Sequence, residues 1–434
     1  MVKYDAVVIG AGVIGAAIAL GLSRDGRKVL VVDKGREAGH GSTAGSCAII
    51  RPYYSTLDGC AVAYESHFYW KEWANYLGVE DERGHARYVN CGCMVMKTPD
   101  NGFLERGKEL MDALDCPYDD LNGAQLLEKM PWLTTQSFAP PRLTDDPTFG
   151  EPNGEELPGA VFFRAGGYVT DPALAAHNLM RAAEAAGAVF RFGAEVIEIS
   201  ADVATGQIEG VVLAGDERIA APIVVNVAGP HSYKINELAG VTHDMTIKTR
   251  ALRHEVAHVP VTDESYRVDG TVFSDSDVSA YTRPEQGGNI LIGSEDPECD
   301  ERIWADPDDF DREFSNQWTT LVMRAGQRMP SLGVPNTAKG VVELYDVSDD
   351  WIPIYDKSCK PGYYMAIGTS GNQFKNAPIV GEFMAKLIRE CEEGRDHDAN
   401  PVSYRLKNLD RKIDLGFYSR NREINPDSSM SVLG

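Results

Sequence analysis

Apolar positions along the chain fall into short runs separated by glycine-rich turns, with some longer stretches of helical spacing. The clearest example is N-terminal, where the apolar residues 7–9 precede a turn and a run of small residues at 16–22. A second apolar run, 29–32, ends at Asp33. This order predicts a strand, a helix and a parallel strand, which is the βαβ unit of an α/β protein.

The rest of the chain carries the same mixture of patterns. Further strands are predicted at 161–163, 189–192, 195–199, 208–213, 218–219 and 223–227, and further helices at 59–77, 172–187, 307–329 and 378–391. Residues 254–293 alternate in the manner of β-strands. Residues 137–159 are rich in Pro and Gly without periodicity, so we expect a surface loop or lid there.

A glycine triplet links the first strand to its helix. Gly10 allows a tight turn, Gly12 lets backbone approach a pyrophosphate, and Gly15 permits close packing of the helix on the strand. We expect phosphates on the free N–H groups at the helix start and a ribose hydroxyl on Asp33. The alternative is a glycine-rich turn in an ordinary βαβ unit, but the strand, helix and acid at the expected distance favour dinucleotide binding.

Segments of nucleotide-binding type recur in three separate parts of the sequence. They occupy residues 1–50, 158–230 and 340–395, while the blocks 51–157 and 231–339 indicate a different, more β-rich domain. A plain nicotinamide dehydrogenase usually keeps its nucleotide domain in one piece, so this interruption is typical of flavin-binding two-domain proteins. Residues 396–434 are predicted to form a C-terminal tail.

Composition and charge narrow the functional classes. Over 434 residues, a hydrophobic content of 43% supports sizeable cores, and a formal charge of −23 argues against nucleic acid and anionic membranes. No apolar run is long enough to span a membrane, and the first strand begins by residue 5, which leaves no room for a signal peptide, so we expect a cytoplasmic protein. The eight cysteines form no framework and Cys91 and Cys93 are too close for a zinc pair, so we expect free thiols and no metal.

Four segments together resemble the D-amino-acid-oxidase-like superfamily of flavoenzymes, and within it the sarcosine oxidase and dimethylglycine dehydrogenase group. They are residues 10–33, 41–51, 223–230, and 344–354 joined to 368–378. The last segment is the most specific, although Ser348-Asp349 stands where the family usually has Thr-Pro and Gln373 replaces a glycine. The resemblance implies an α/β fold in two domains, with a glutathione-reductase-like Rossmann domain that binds FAD and a discontinuous β-rich substrate domain.

The resemblance also implies which residues surround FAD. The ADP half would lie on the N-terminal glycine turn, and the isoalloxazine ring between the Ser42 loop and the turn before the last helix. The implied cofactor-binding residues are Gly10, Gly12, Val13, Ile14, Gly15, Asp33, Lys34, Ser42, Thr43, Ala44, Gly45, Val196, Ala228, Gly229, Gly368, Ser370, Gly371, Asn372, Gln373, Phe374 and Lys375. Backbone N–H groups of the 371–373 turn are expected to stabilise negative charge on the reduced flavin.

Arg51 and Lys375 stand where sarcosine-oxidase-like enzymes hold the substrate carboxylate. A guanidinium offers a bidentate fork and an ammonium adds a point charge. The structural alternatives are a salt bridge from Arg51 to one of the many acids and a surface lysine at a helix start. The resemblance implies oxidation of the C–N bond of a secondary or tertiary α-amino acid to an imine, with hydride-equivalent transfer to flavin and hydrolysis to an amine plus an aldehyde or keto acid. Such substrates include sarcosine, dimethylglycine, proline-like rings and iminodiacetate-like dicarboxylates.

Aromatic residues are further candidates for the substrate cavity. Tyr281, Tyr345 and either Tyr53 or Tyr54 are expected to line it. His254 is a candidate for an active-site role, although a structural histidine in a strand is the favoured interpretation.

Departures from the group predict how the flavin is held and reoxidised. Monomeric sarcosine oxidases attach FAD through a cysteine where this chain has Gly-Val-Val at 340–342, and dimethylglycine dehydrogenases use a histidine where it has residues 44–46, so non-covalent FAD is expected. The oxidases place a lysine beside the flavin in a strand whose equivalent here carries Leu291. A dehydrogenase is therefore favoured over an oxidase, and the electron acceptor stays open between oxygen and an electron-transfer protein or a quinone.

Two other functions stay open on this fold. One is a flavoprotein subunit of a homo- or hetero-oligomer, in which apolar residues of the tail dock a partner: Phe417, Tyr418, Met430, Val432 and Leu433. The other is a hydroxy-acid or glycerol-phosphate oxidoreductase, although no dedicated cluster of basic residues for a phosphate is evident.

Overall fold

Two large β-sheets with flanking helices make up the computed structural model of the protein, which describes residues 3–98, 102–261, 266 and 270–433. The helices are α1 (Val13–Arg24), α2 (Leu57–Lys71), α3 (Trp73–Leu77), α4 (Gly102–Asp112), α5 (Gly123–Lys129), α6 (Pro172–Ala185), α7 (Ser232–Ala239), α8 (Asn316–Arg328) and α9 (Ala377–Glu392). Short 3₁₀ helices span Gly229–His231, Thr242–Asp244, Phe374–Asn376 and Leu415–Tyr418.

The strands follow the same chain order. They are β1 (Ala6–Ile9), β2 (Val29–Asp33), β3 (Ile49–Ile50), β4 (Tyr88–Val89), β5 (Cys93–Met96), β6 (Tyr118–Asn122), β7 (Gly159–Phe163), β8 (Gly167–Val169), β9 (Val189–Phe192), β10 (Val196–Ala201), β11 (Ile208–Leu213), β12 (Glu217–Ala220), β13 (Ile223–Asn226), β14 (Thr249–Pro260), β15 (Val272–Asp275), β16 (Ala280–Glu285), β17 (Asn289–Ser294), β18 (Gly340–Ser348), β19 (Ile354–Lys357), β20 (Tyr363–Ile367), β21 (Ser403–Arg405) and β22 (Lys412–Asp414).

The first sheet has the strand order β19-β20-β13-β1-β2-β9. β1 lies at its centre and pairs in parallel with both β2 and β13, while only the edge strand β19 is antiparallel. Helices α1, α6 and α9 cover one face and the small sheet β10-β11-β12 covers the other. Because both faces are covered, the central strand β1 is apolar and buried along its whole length, as the sequence pattern predicts.

The glycine triplet brings α1 onto this sheet. Gly10 has φ +111°, and a Cβ there would lie 2.3 Å from the carbonyl oxygen of Val227 in the neighbouring strand connection. A Cβ on Gly15 would lie 1.9 Å from the carbonyl oxygen of Gly10. Larger residues would therefore push the helix away from the strand ends that bear the turn.

Helix α1 also crosses α9 at a contact between two glycines. A Cβ on Gly21 would lie 2.3 Å from the carbonyl oxygen of Gly381, and a Cβ on Gly381 would lie 2.3 Å from that of Ala17. The two helix backbones thus touch directly, which holds the C-terminal helix against the N-terminal βαβ unit.

The second sheet has the order β18-β14-β17-β16-β15-β5-β7-β6. Its long strand β14 pairs antiparallel with β18 from Thr249↔Ser348 to Ala257↔Gly340. Helix α8 packs on β14, β16 and β17 over a separate apolar core. The two sheets, one mainly parallel and one mainly antiparallel, form the predicted α/β architecture with a β-rich second layer.

Two strands complicate the predicted domain boundaries. β7 and β18 lie in segments assigned to the nucleotide-binding domain, 158–230 and 340–395, yet both pair within the second sheet. The boundaries themselves stay a prediction. Of the predicted β-run at 254–293, residues 262–265 and 267–269 lie outside the described part of the chain.

One helix prediction is wrong in its first half. The predicted helix 307–329 is helical only in α8, where the Ser315 side chain accepts a hydrogen bond from the Gln317 N–H at 3.1 Å. Upstream, the side chain of Asp306 accepts from the N–H of Asp308 at 2.9 Å. Such aspartate turns satisfy backbone groups locally and compete with helix formation.

The predicted helix 59–77 appears as α2 and α3, separated at Glu72. Its tryptophans are buried and stack in a row, with ring centroids 4.3 Å apart for Trp70–Trp73 and 5.4 Å apart for Trp70–Phe374. The Trp70 indole N–H donates to the carbonyl oxygen of Lys375 at 2.7 Å. This row, the aromatic stack, fixes the turn that precedes α9.

Among the described residues, no helix combines the length and apolarity needed to cross a bilayer.

Candidate active site

A cavity that opens to solvent lies between the two sheets. On one side it is lined by the start of α1, the Ser42 loop and the connections that follow β13 and β20. On the other side it is lined by β15, β16 and β18. In open α/β sheets the carboxyl ends of parallel strands form the ligand-binding edge, and this cavity occupies that position.

Many of the residues predicted from sequence line this one cavity. They are Gly12, Val13, Ile14, Gly15, Ser42, Thr43, Arg51, Gly229, Tyr281, Tyr345, Gly371, Asn372, Gln373, Phe374 and Lys375. They come from six separate stretches of sequence, which the fold brings together around one cavity. Tyr53 also lines the cavity.

The first turn of α1, where phosphates are predicted to bind, forms one end of the cavity. An α-helix leaves its first N–H groups without intrahelical acceptors, and among these the N–H of Val13 donates to Thr43 Oγ1 at 3.1 Å. Asp33 lies beneath the turn, where its carboxylate accepts from the N–H of Ala11 and from that of Gly35, each at 2.6 Å. Asp33 thus shapes the glycine turn besides standing at the predicted ribose position.

Two buried polar atoms at the cavity wall lack a partner. Asp346 Oδ2 accepts from the Gly368 N–H at 2.6 Å and from Ser232 Oγ at 3.1 Å, whereas Asp346 Oδ1 has no hydrogen bond. The amide nitrogen of Asn372 is likewise unpaired. Burial raises the pKa of Asp346 to about 7. An unpaired acceptor and an unpaired donor beside a helix start suit a polar cofactor such as FAD, which offers hydroxyls, ring nitrogens and phosphates.

Arg51 and Lys375 are both buried beside the ring of Tyr54. The Arg51 guanidinium donates to the carbonyl oxygens of Tyr53 and Val432, the latter at 3.0 Å, and its Cζ lies 4.5 Å from the centroid of the Tyr54 ring. Lys375 Nζ donates to Tyr54 Oη at 2.8 Å and to the carbonyl oxygen of Asn372 at 2.6 Å. Among the described residues, neither cation forms an ion pair with a carboxylate.

Burial and the neighbouring Arg51 charge hold the pKa of Lys375 well below its usual range. A buried cation without an anion is costly, and a second one nearby adds repulsion. The sequence alternatives, a salt bridge for Arg51 and a surface position for Lys375, do not describe these residues. An anion bound between them would relieve both costs.

His254 lies behind the cavity wall. Its ring stacks on that of Tyr345 with centroids 4.1 Å apart, and Nε2 lies 3.4 Å from Asp296 Oδ1. It is not among the lining residues. The structure therefore places His254 as support for Tyr345, in keeping with the structural interpretation and not with an active-site role.

Several other predicted cofactor residues lie outside the lining. Lys34 is at the surface, bonded to Asp308 Oδ1 at 2.5 Å, and Val196 is buried in the core behind the first sheet. Gly10 and Ala228 lie within the strand-end turns and Ala44 is exposed. Gly45, Gly368 and Ser370 pack against β18, with a Cβ on Gly45 only 2.9 Å from Glu343 Cγ and the Ser370 N–H donating to the Asp346 carbonyl at 2.7 Å. Gly45, Gly368 and Ser370 therefore support the β18 side of the cavity wall.

Sequence reasoning missed several lining residues. Ser274 comes from β15 and donates a hydrogen bond to Glu295, a buried carboxyl that also accepts from Ser276 Oγ at 2.9 Å. Val432 and Leu433 reach the cavity from the C-terminal segment. Neither Ser274 nor this segment belongs to a motif. Asp346 did have a signal, because it follows Tyr345 within the most specific of the resembling segments.

The site and fold define a class of flavin-dependent oxidoreductase, and the family comparison agrees. Residues 5–387 match the family model described as "DAO: FAD dependent oxidoreductase", and the chain belongs to that family, whose cofactor is FAD.

The chain is also similar to individual proteins, at sequence identities of 22% to 25%. The chain is 24% identical over 407 residues to a glycine oxidase of Geobacillus kaustophilus (strain HTA426), covering 91% of this chain and 95% of that protein. It is 25% identical over 390 residues to an N-methyl-L-tryptophan oxidase of Yersinia pestis (strain Pestoides F), covering 89% and 95%. The crystal structure of L-proline dehydrogenase from P. horikoshii has the same fold, with a TM-score of 0.73, 22% identity, and 90% of this chain and 94% of that one covered.

Proposed function

We propose that the protein oxidises the C–N bond of a secondary or tertiary α-amino acid to an imine, using non-covalently bound FAD. The imine is then hydrolysed to an amine plus an aldehyde or keto acid. The observation that carries this proposal is the pair Arg51 and Lys375, buried at the cavity wall without a carboxylate partner among the described residues. Such a pair suits an anionic group of the substrate.

The remaining lining residues suit the other end of such a substrate. Bound FAD supplies the acceptor for two electrons and a hydride equivalent. Tyr281 and Tyr345 have aromatic rings with neutral hydroxyls, since burial raises the pKa of both phenols. They exclude water and orient the α-carbon without adding charge, so a substrate amine that binds neutral needs no strong protein base.

The named relatives support an amino-acid substrate. Glycine oxidase, N-methyl-L-tryptophan oxidase and L-proline dehydrogenase are named for substrates that each contain an α-amino carboxylate. This shared group is the one that Arg51 and Lys375 suit. The side chain of the substrate is where these named substrates differ.

We propose a dehydrogenase, not an oxidase. Leu291 is buried in an apolar cluster with Cys47, Tyr281 and Val432, at the position where the resembling oxidases carry a lysine. Stopped-flow mixing of the reduced protein with air-saturated buffer should show slow reoxidation, and a Leu291→Lys variant should reoxidise faster. Rapid reoxidation of the unaltered protein would contradict this assignment.

The decisive experiment is an anaerobic titration of the FAD-loaded protein, followed by flavin absorbance. Sarcosine, dimethylglycine, proline and iminodiacetate are the test substrates, and glycolate and glycerol 3-phosphate represent the hydroxy-acid and phosphate alternatives. Bleaching by an N-substituted amino acid is the expected result. Bleaching only by glycolate or glycerol 3-phosphate would overturn the proposal.

The alternative function, a flavoprotein subunit whose tail docks a partner, is weakened by the position of two tail residues. Tyr418 and Val432, two tail residues predicted to dock a partner, are buried within the chain itself. Tyr418 packs on Tyr355 with centroids 5.0 Å apart, and Val432 faces the cavity. Oligomeric state stays a matter for size-exclusion chromatography of the isolated chain.

A further inference from the structure

The segment Ser428–Leu433, here called the strap, crosses the substrate side of the cavity. Val432 and Leu433 are lining residues although they lie far along the sequence from every other part of the site. The Val432 side chain is 8% exposed and packs in one apolar cluster with Tyr281 and Leu291. The strap is therefore part of the cavity wall.

The strap also forms a hydrogen bond with Arg51, one of the two residues proposed to bind the substrate carboxylate. Arg51 Nη2 donates to the Val432 carbonyl at 3.0 Å, and Nη1 donates to the Tyr53 carbonyl. Both terminal nitrogens of the fork thus face neutral acceptors. A carboxylate makes shorter and stronger bonds to a guanidinium than a carbonyl does, so an anion entering the cavity competes with the strap for the same nitrogen.

The contacts that hold the strap lie mostly outside the cavity. Ser428 Oγ donates to the Asp350 carbonyl at 2.5 Å. The exposed Arg302 donates to the Met430 carbonyl at 3.0 Å and lies over the Trp351 ring at 5.2 Å. These anchors are few, and removing one leaves the lining residues unchanged.

We propose that the strap is a displaceable wall of the substrate pocket: the Val432 carbonyl holds Arg51 until a substrate carboxylate replaces it. The buried guanidinium then has an acceptor both before and after binding, which avoids an unpaired buried charge. The strap also limits the size of the group that fits beside Arg51. The proposal rests on the proposed function only in taking a carboxylate as the ligand.

The test is the binding of acetate and benzoate to the FAD-loaded protein, measured by perturbation of the flavin absorbance. A variant that ends after Asp427 should bind acetate about tenfold more tightly, the equivalent of one hydrogen bond, and should gain more for the larger benzoate. Arg302→Gln, in the complete chain, should give a smaller gain of the same sign. Arg405→Gln removes an exposed arginine that pairs only with Asp410 in β21–β22, and should change neither affinity.

Combination with Arg51→Gln identifies the cause of the gain. If the strap competes for this guanidinium, shortening the chain should tighten acetate binding in the native background and not in the Arg51→Gln background. Equal or weaker acetate binding by the shortened protein overturns the proposal. If the shortened protein does not retain FAD, unchanged affinities in Arg302→Gln overturn it instead.

The outcome is separable from that of the proposed function. Acetate and benzoate bind without being oxidised, so the strap can be tested whether or not any amino acid bleaches the flavin. Tighter acetate binding without bleaching by any N-substituted amino acid would support the strap and contradict the proposed reaction. Bleaching with no effect of the strap variants would do the reverse.

Discussion

At the scale of single residues, the unusual feature is that two cations share one aromatic ring. Lys375 Nζ lies 5.0 Å and Arg51 Cζ 4.5 Å from the centroid of Tyr54. The ring and nearby carbonyl oxygens hold both groups in place. The Arg51 charge is therefore present before a substrate arrives, whereas the lowered pKa of Lys375 means that its amine gains a charge when an anion binds.

Replacing either cation should weaken substrate binding strongly. A charge-assisted hydrogen bond contributes about 1.5–3 kcal/mol, so we expect kcat/KM to fall about 10- to 150-fold in Arg51→Gln and in Lys375→Met. Steady-state kinetics with an artificial electron acceptor measure this effect. Arg405→Gln serves as the control for loss of a positive charge, and a similar loss of kcat/KM in that variant would remove the case for a specific clamp.

The lowered pKa of Lys375 predicts that anion binding takes up protons. A carboxylate next to the amine restores its positive charge, so binding should draw a proton from the buffer, and affinity should fall as the pH rises. Calorimetric titration with benzoate in two buffers of different ionisation enthalpy measures the proton number. Proton release, or no uptake in the native protein, would contradict this assignment; the Lys375→Met variant should show none.

At the scale of elements, α1 is confined on two sides. Its first turn meets the sheet through Gly15, and its middle meets α9 through Gly21 and Gly381. The helix that presents N–H groups to the cavity is thereby fixed to the helix that follows the Lys375 turn. The glycine turn and the Lys375 turn, predicted to hold cofactor and substrate, are therefore linked through this helix crossing.

Gly21→Ala should destabilise the protein by this mechanism. The added methyl would lie 2.3 Å from a backbone oxygen of α9, so the helices must separate, at a cost of about 1–3 kcal/mol. Gly107→Ala in α4 is the matched control, because a Cβ there meets nothing within 4 Å and should stabilise by about 0.5–1 kcal/mol through helix propensity. Urea unfolding of both variants tests the difference; equal stabilities would contradict the close crossing.

Sequence reasoning succeeded where the information is local. The order of strand, glycine turn and helix at 7–22 needs only neighbouring residues to be recognised, and the structure reproduces it. The contact of Gly21 with Gly381 could not be predicted, because nothing in either helix alone shows that its partner is a glycine. The helix predicted at 307–329 begins only at Asn316 for a different local reason. Upstream of it, side chains such as Asp306 accept hydrogen bonds from backbone N–H groups and replace helical bonds.

At the scale of the whole molecule, the site exists only where the two sheets and the C-terminal segment meet. Arg51 and Lys375 belong to recognisable motifs and were predicted from sequence. Ser274 and Val432 are brought in by long-range strand pairing and by the anchors of the strap, for which the sequence offers no periodic signal. Motifs thus identified Arg51 and Lys375, and long-range packing brings in residues such as Ser274 and Val432.

The free energy of unfolding should depend on pH through Glu295, a buried carboxyl that accepts a hydrogen bond from the lining residue Ser274. Burial raises the pKa of Glu295 to about 7, so between about pH 4.5 and 7 the folded protein retains a proton that the unfolded chain releases. Stability contributed by this group is therefore lost as the pH rises through that range. Glu295→Gln should be less sensitive to pH and, above pH 7, more stable by about 1–3 kcal/mol.

Urea unfolding of the apoprotein at pH 5 and pH 8 measures this difference. Glu151→Gln, at an exposed loop position, is the control for loss of a carboxylate and should behave like the native chain. A Glu295→Gln variant that is less stable than the native protein at pH 8 would show that the carboxyl is ionised and well solvated there.

The aromatic stack gives the protein a built-in optical reporter. Phe374 lines the cavity, Trp70 stacks on it, and Trp73 stacks on Trp70. Oxidised flavin absorbs light at the wavelengths where tryptophan emits, so a flavin in the cavity quenches these two indoles by energy transfer over a very short distance. Loading with FAD, and each cycle of reduction and reoxidation, can therefore be followed as a change in intrinsic fluorescence, without a label and without a coupled assay.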